Sequence, residues 1–246
     1  MNRDTQSVLL LLVGGAVVRI SVDDTYLRYV KDWMRPGLLA AGAVLVVLGL
    51  VSLWREHFAR RPAAPPTDPE LVADEHGHDD DHGPQVAWLL LLPVLAIFLV
   101  APPALGSYTA SRSAAAAAPA EPDSEFAPLP AGDPVTTTLT DYVTRAIWDR
   151  GRSLEGRRIR MVGFVTPRSG GGFYLTRITI TCCAADARPM RISVQGGDRT
   201  FAADTWVAVT GTYGGREEAA TAADQVPVIR AESVDTVKAP AEPYES

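Results

Sequence analysis

One stretch of the chain restricts its fold more than any other: Pro36 to Trp54 holds nineteen residues without a single charge. About 20 consecutive apolar residues are needed to cross the hydrocarbon core of a bilayer. Proline suits the first turn of a helix, and tryptophan suits a membrane interface. We therefore predict a transmembrane helix over residues 36–54.

Two further apolar runs flank this helix. Residues 86–105 are as long and contain Pro93, which we expect to kink the helix. Residues 7–22 are shorter, and a cleaved signal peptide is the alternative interpretation of this run. Because no small-residue cleavage site precedes a polar mature sequence, we predict three retained transmembrane helices. The chain is then a multi-pass cell-membrane protein in contact with the lipid bilayer.

The second half of the chain has the opposite character, since it is polar and rich in turn residues. Residues 106–134 are dominated by alanine and proline, which bury too little apolar surface to fold and act as spacers. Spacers of this kind commonly hold a domain away from the outer face of a membrane. We therefore predict a tether over 106–134 and an extracytoplasmic C-terminal domain.

The C-terminal domain, over residues 135–240 with a tail at 241–246, shows a change of hydrophobic period. Residues 140–150 have apolar positions at helical spacing, with Thr140 as the expected cap. After them, short alternating runs separated by glycine-rich turns predict strands over 158–166, 173–183, 191–195, 206–213 and 226–237. Five such strands predict an all-β domain, a small OB-like barrel, with a β-sandwich fragment as the alternative.

Several sequence segments carry a family resemblance: TYLRYVKDWMRPGLL at 25–39, an acidic loop with histidines, and ITCCAADARPM at 180–190. With the three apolar runs and the barrel, they resemble the YcgQ-like family of bacterial membrane proteins. The resemblance implies a subunit that works beside a multi-span membrane permease. It implies no tested substrate and no catalytic residues.

Cys182 and Cys183 are the only cysteines in the chain. A disulfide between neighbours is disfavoured, because bridged Cα atoms usually lie farther apart than consecutive residues do. With Asp186, the thiolates have the donor types that bind zinc or copper. The alternatives are a thiol redox site and cysteines that serve only as small packing residues.

A second cluster lies in the loop 55–85, which packs histidines and carboxylates into the sequence DEHGHDDDH. Imidazole nitrogen binds transition metals, so the loop is a candidate metal-collecting segment. The alternative is a solvated acidic loop. The candidate ligands are His76, His78, His82, Asp79, Asp80 and Asp81.

Composition excludes other classes of function. The net charge is −6, and the sequence shows no basic stripe of the kind that phosphate binding needs, so we expect no nucleic-acid partner. The sequence shows no pairing of a catalytic nucleophile with a general base, such as a Ser-His-Asp arrangement, and residues 135–240 contain no histidine. We expect a non-enzymatic accessory subunit of a permease complex that binds or hands over a metal ion or another solute. The alternatives are a membrane-anchored interaction module and a thiol redox protein.

Overall fold

The computed structural model describes residues 3–59, 103–112, 126–196, 200–217 and 225–245. The chain divides into two compact units. The first comprises Met1–Tyr26 and Trp33–Pro102 and holds the apolar helices. The second comprises Leu27–Asp32 and Pro103–Ser246 and holds the β-strands.

Two antiparallel helices, α1 (Arg3–Val22) and α2 (Arg35–Ala59), form the first unit. Glycines lie where their backbones approach closely. A Cβ atom added to Gly14 would lie 2.9 Å from the carbonyl oxygen of Gly42, and one added to Gly49 would lie 2.8 Å from Leu11 Cγ. Small residues at a helix interface allow such close packing without a hydrophobic driving force.

Both helices were predicted, although α1 begins four residues earlier than predicted and α2 continues five residues farther. Among the described residues, Asp32–Arg55 is the one helix long and apolar enough to cross a membrane, and Gln6–Val22 is apolar but shorter. In the third predicted run, residues 86–102 lie outside the described residues, and 103–105 are not helical. One candidate membrane helix is therefore shown, and three are not.

The second unit contains a closed five-stranded barrel, as the sequence predicted. Its strands are β2 (Arg158–Pro167), β3 (Phe173–Thr179), β4 (Arg188–Gln195), β5 (Trp206–Arg216) and β6 (Pro227–Thr236). The sheet closes because β2 pairs with both β5 and β3, and the remaining neighbours are β3–β4, β4–β6 and β5–β6. Among these pairs of barrel strands, only β4–β6 is parallel.

Two boundaries near the cysteines differ from the prediction. Strand β3 ends at Thr179 rather than at 183, and β4 begins at Arg188 rather than at 191. The two strands pair as far as Thr179 opposite Arg188. The residues between them, including both cysteines, therefore form the connection between two strands rather than the end of one.

A single amphipathic helix, α4 (Leu139–Trp148), packs against the barrel core. The hydroxyl of its Tyr142, fully buried, donates a 2.7 Å hydrogen bond to the Val228 carbonyl. Thr138, not the predicted Thr140, caps the helix by accepting from the Asp141 amide at 3.1 Å. The helix thus covers apolar barrel residues with its own apolar face.

Part of the segment predicted as a tether is folded. Residues Ser107–Arg112 form a short helix, α3, whose Ala110 is buried in a cluster with Phe164 and Tyr244. The Asp204 carboxylate accepts hydrogen bonds from the Ser107 amide at 2.6 Å and the Ser107 hydroxyl at 2.8 Å. Residues 113–125 of the predicted tether lie outside the described residues.

The predicted tail also contributes to the domain. Two short strands, β1 (Val135–Thr136) and β7 (Tyr244–Glu245), pair in parallel with β2 and β3. The buried Glu245 carboxylate accepts hydrogen bonds from the amides of Leu139 and Thr140 at 3.1 and 2.9 Å. It also lies 3.3 Å from Nε of the buried Arg177.

Replacement of Glu245 tests how much its carboxylate contributes to the stability of the barrel. We expect Glu245→Ala to destabilise the barrel by about 3 kcal/mol, because it leaves the Arg177 guanidinium buried without its partner charge. The matched control is Glu155→Ala, an exposed glutamate that is not a partner of Arg177. Thermal unfolding of the full chain in detergent, followed by circular dichroism, measures both. Equal melting temperatures for the two variants would contradict the assignment.

Candidate metal centre

The site is built on the connection between β3 and β4, and one carboxylate organises it. Asp186 Oδ1 accepts the Thr181 amide and Oδ2 accepts the Cys182 amide, each at 2.9 Å. The Asp186 amide in turn donates to the Cys183 carbonyl at 3.0 Å. Aspartate side chains commonly close turns through neighbouring backbone amides. The turn therefore brings the carboxylate next to both cysteines.

The two cysteines are free thiols, and both are half-buried. Their sulfur atoms lie 3.6 Å apart, far beyond a disulfide bond length of about 2.05 Å. One ligand atom from each of Cys182, Cys183 and Asp186 lies within 4.8 Å of the others. The structure thus brings together the three residues that the sequence analysis grouped.

These distances fit a transition-metal ion. Zinc holds sulfur ligands at about 2.3 Å, so two sulfur ligands of one tetrahedral ion lie about 3.8 Å apart. The observed separation of 3.6 Å between the sulfurs is close to that value. Two thiolates and one carboxylate are donor types that zinc accepts, and the thiolates also suit copper(I).

The electrostatics of the site keep one of its two thiols, that of Cys182, in the protonated form. A hydrogen bond to the Asp186 carboxylate, followed by one to the neighbouring sulfur, raises the pKa of Cys182 to about 11. The backbone amides of Cys182 and Thr181 lower the pKa of Asp186. At neutral pH the Cys182 thiol is therefore protonated, which disfavours nucleophilic redox chemistry. A metal ion would bind by displacing that proton.

A segment distant in sequence, Leu27–Asp32, packs beside the cysteines within the same unit. Val30 forms an antiparallel bridge with Cys183. The Ala184 amide donates to the Tyr29 carbonyl at 2.7 Å, and the Lys31 amide donates to the Cys182 carbonyl at 3.1 Å. Sequence reasoning missed these residues, because nothing in the local pattern of this segment points to a partner about 150 residues away.

Aromatic side chains of the barrel contribute to its packing. Phe164 and Phe173 are buried and make edge contacts with Trp206 and Phe201. Tyr174 lies beneath the guanidinium groups of Arg168 and Arg191. The loop candidates lie outside the described residues: His76, His78, His82, Asp79, Asp80 and Asp81.

Comparison with known proteins gives one match. Residues 136–245 match the family model of the DUF1980 C-terminal domain, a family of uncharacterised bacterial proteins. The matched range includes the whole barrel and the turn that carries both cysteines. No curated protein and no solved structure matches the chain.

The raised pKa of Cys182 predicts how Asp186 controls thiol reactivity. In a Cys183→Ser background, we expect Asp186→Asn to speed alkylation of Cys182 at pH 8 about tenfold. Removing the carboxylate lowers the thiol pKa toward its ordinary value of 9.0, so more thiolate is present, although each thiolate is less nucleophilic.

The rate of iodoacetamide labelling, measured by intact-protein mass spectrometry without added metal, provides the test. Asp235→Asn is the control, since Asp235 is an exposed aspartate on β6. Identical labelling rates in the Asp186 and Asp235 variants would show that the carboxylate does not hold the thiol protonated.

Proposed function

We propose that this chain is a membrane-anchored, non-enzymatic accessory subunit of a permease, and that its barrel domain binds and hands over a transition-metal cation. The observation that carries the proposal is the convergence of Cys182, Cys183 and Asp186 within 4.8 Å. Zinc and copper(I) are the cations that this donor set favours.

Three protein ligands suit a cation that must leave again. Structural zinc sites are closed by four protein ligands, whereas sites that exchange a ligand keep one position open. A donor from the permease can occupy that position during transfer. The half-buried thiols leave the site accessible for such an exchange.

Two observations favour metal binding over the alternatives. Neither cysteine is a member of the two buried apolar clusters of the barrel, which argues against a packing role. The high pKa of Cys182 argues against Cys182 itself as a nucleophile at neutral pH.

Chain connectivity supports the membrane arrangement that the sequence predicted, with helices at 7–22, 36–54 and 86–105. Leu27–Asp32, which joins α1 to α2, belongs to the barrel unit, and so do the residues from Pro103 onward. If α2 crosses the bilayer, the chain must cross back before residue 103. The apolar run that begins at residue 86 is the candidate for that crossing, and the alanine- and proline-rich composition of residues 106–134 favours an extracytoplasmic barrel.

The permease is the expected partner of the helical unit. Large apolar side chains of α2 are more than 45% exposed, among them Val44, Val47 and Leu50. Exposed apolar surface of this extent requires lipid or another membrane helix around it. The resemblance to permease-associated proteins favours a helix partner for part of this surface.

Metal analysis of the detergent-purified chain tests the proposed function. We expect about one zinc or copper ion per chain, lost in the double variant Cys182→Ser/Cys183→Ser. The variant His76→Asn/His78→Asn/His82→Asn, which alters the acidic loop, should retain the ion. Loss in the histidine variant with retention in the cysteine variant would move the site to the loop, and metal-free wild-type protein would overturn the proposal.

The same preparation tests whether the chain binds a multi-span membrane protein. We expect mass spectrometry to identify a co-purifying multi-span membrane protein that remains bound in both the wild type and the cysteine variant, since docking is assigned to the helices. A chain that purifies alone after mild chemical crosslinking would favour a free-standing interaction module.

Cysteine labelling in intact cells tests the membrane arrangement. The background is Cys182→Ser/Cys183→Ser, to which Trp33→Cys, Arg230→Cys or His57→Cys is added at exposed positions. We expect a membrane-impermeant maleimide to label the first two in intact cells and the third only after permeabilisation. Labelling of Trp33→Cys and Arg230→Cys from opposite sides would contradict the arrangement.

A further inference from the structure

We infer that occupancy of the Cys182–Cys183–Asp186 site is coupled to docking of the Leu27–Asp32 segment on the barrel. The inference rests on the proposed function, because it assigns regulation to the same cation site. It makes Leu27–Asp32 a positioning segment whose residues do not themselves bind the ion.

The segment contacts the site on both sides of Cys183. The Lys31 amide binds the carbonyl of Cys182 at 3.1 Å, and the Tyr29 carbonyl binds the amide of Ala184 at 2.7 Å. Val30 lies between these two bonds, opposite Cys183. The segment therefore pairs, along one edge, with the backbone that carries both thiols.

Asp186 pairs with the same backbone through the amides of Thr181 and Cys182. The carboxylate and the segment together engage the amides of Cys182 and Ala184 and the carbonyl of Cys182. A chelate with two neighbouring thiolates requires this backbone to hold one conformation. Without the segment, the cation must itself supply the free energy of ordering, which is about 1–2 kcal/mol per residue.

A second anchor fixes the segment to the barrel. The hydroxyl of Tyr244 donates to the Arg28 carbonyl at 2.8 Å and accepts from the Leu105 amide at 2.9 Å. Tyr244 is buried and pairs, through β7, with Ile178 of β3. The segment is thus attached both at the cysteine turn and at the strand that precedes this turn.

Thermodynamic linkage gives the consequence. If the docked segment raises the affinity of the site for a cation, then the cation must favour docking of the segment by the same factor. The segment is covalently continuous with α1 on one side and α2 on the other. Binding of a cation at the site therefore favours the docked conformation of the loop between the two helices.

A proline substitution tests the coupling without touching a ligand. Lys31→Pro removes the amide that donates to Cys182, while Val30, which is in a β-bridge, tolerates a following proline. Lys31→Ala is the matched control, since it removes the same buried side chain and keeps the amide. We expect Lys31→Pro to weaken zinc affinity about fivefold to tenfold and Lys31→Ala to change it less than twofold.

The measurement is a zinc titration of the full chain in detergent against a chromophoric chelator. Hydrogen exchange of wild-type protein with and without zinc supplies the reciprocal test. We expect zinc to slow exchange severalfold at the Lys31 and Ala184 amides, with no change at amides of the β5–β6 pair.

The outcomes distinguish failure of the coupling from failure of the cation site itself. Equal zinc affinity in both Lys31 variants, or unchanged exchange at Lys31 and Ala184 in zinc-loaded protein, overturns the coupling and leaves the cation site in place. Wild-type protein that binds no zinc or copper overturns the site and the coupling together.

Discussion

Closure of the barrel depends on the path of β2, which pairs with β5 from Arg158 to Phe164 and with β3 from Phe164 to Pro167. At Gly163 a Cβ atom would lie 2.7 Å from the Thr176 carbonyl oxygen, so only glycine allows the two backbones to approach so closely. Because β3 is held in this way, the β3–β4 hairpin has a fixed position. The turn that carries the candidate ligands is the end of that hairpin.

Within the turn, one carboxylate has two opposing effects. Asp186 orders the backbone by accepting two amides, and it also keeps the nearby thiol protonated. An ion that binds here exchanges a proton for its own positive charge, and the same carboxylate then stabilises the bound state. The raised pKa therefore lowers the thiolate fraction of Cys182 at neutral pH, and a cation that bound there would have to displace its proton.

Local sequence patterns predicted much of this architecture, since hydropathy indicated α1 and α2 and period-two alternation indicated the five barrel strands. The grouping of Cys182, Cys183 and Asp186 also followed from their proximity in sequence. The contacts that sequence reasoning missed join distant residues: Asp204 to Ser107, Glu245 to Thr140 and Tyr244 to Arg28. A polar residue in a loop or tail has no periodicity, and its partner is determined by the closed fold rather than by its neighbours.

The position of Glu245 has a consequence for how the domain is made. Its carboxylate binds the first amides of α4, although 106 residues separate Glu245 from Leu139. During synthesis the helix emerges long before this group does, so its amino end is exposed while the strands are still being added. The barrel therefore cannot acquire its final stability progressively from the amino end, and a nascent chain that pauses before Tyr244 and Glu245 presents an unfinished domain to chaperones and proteases.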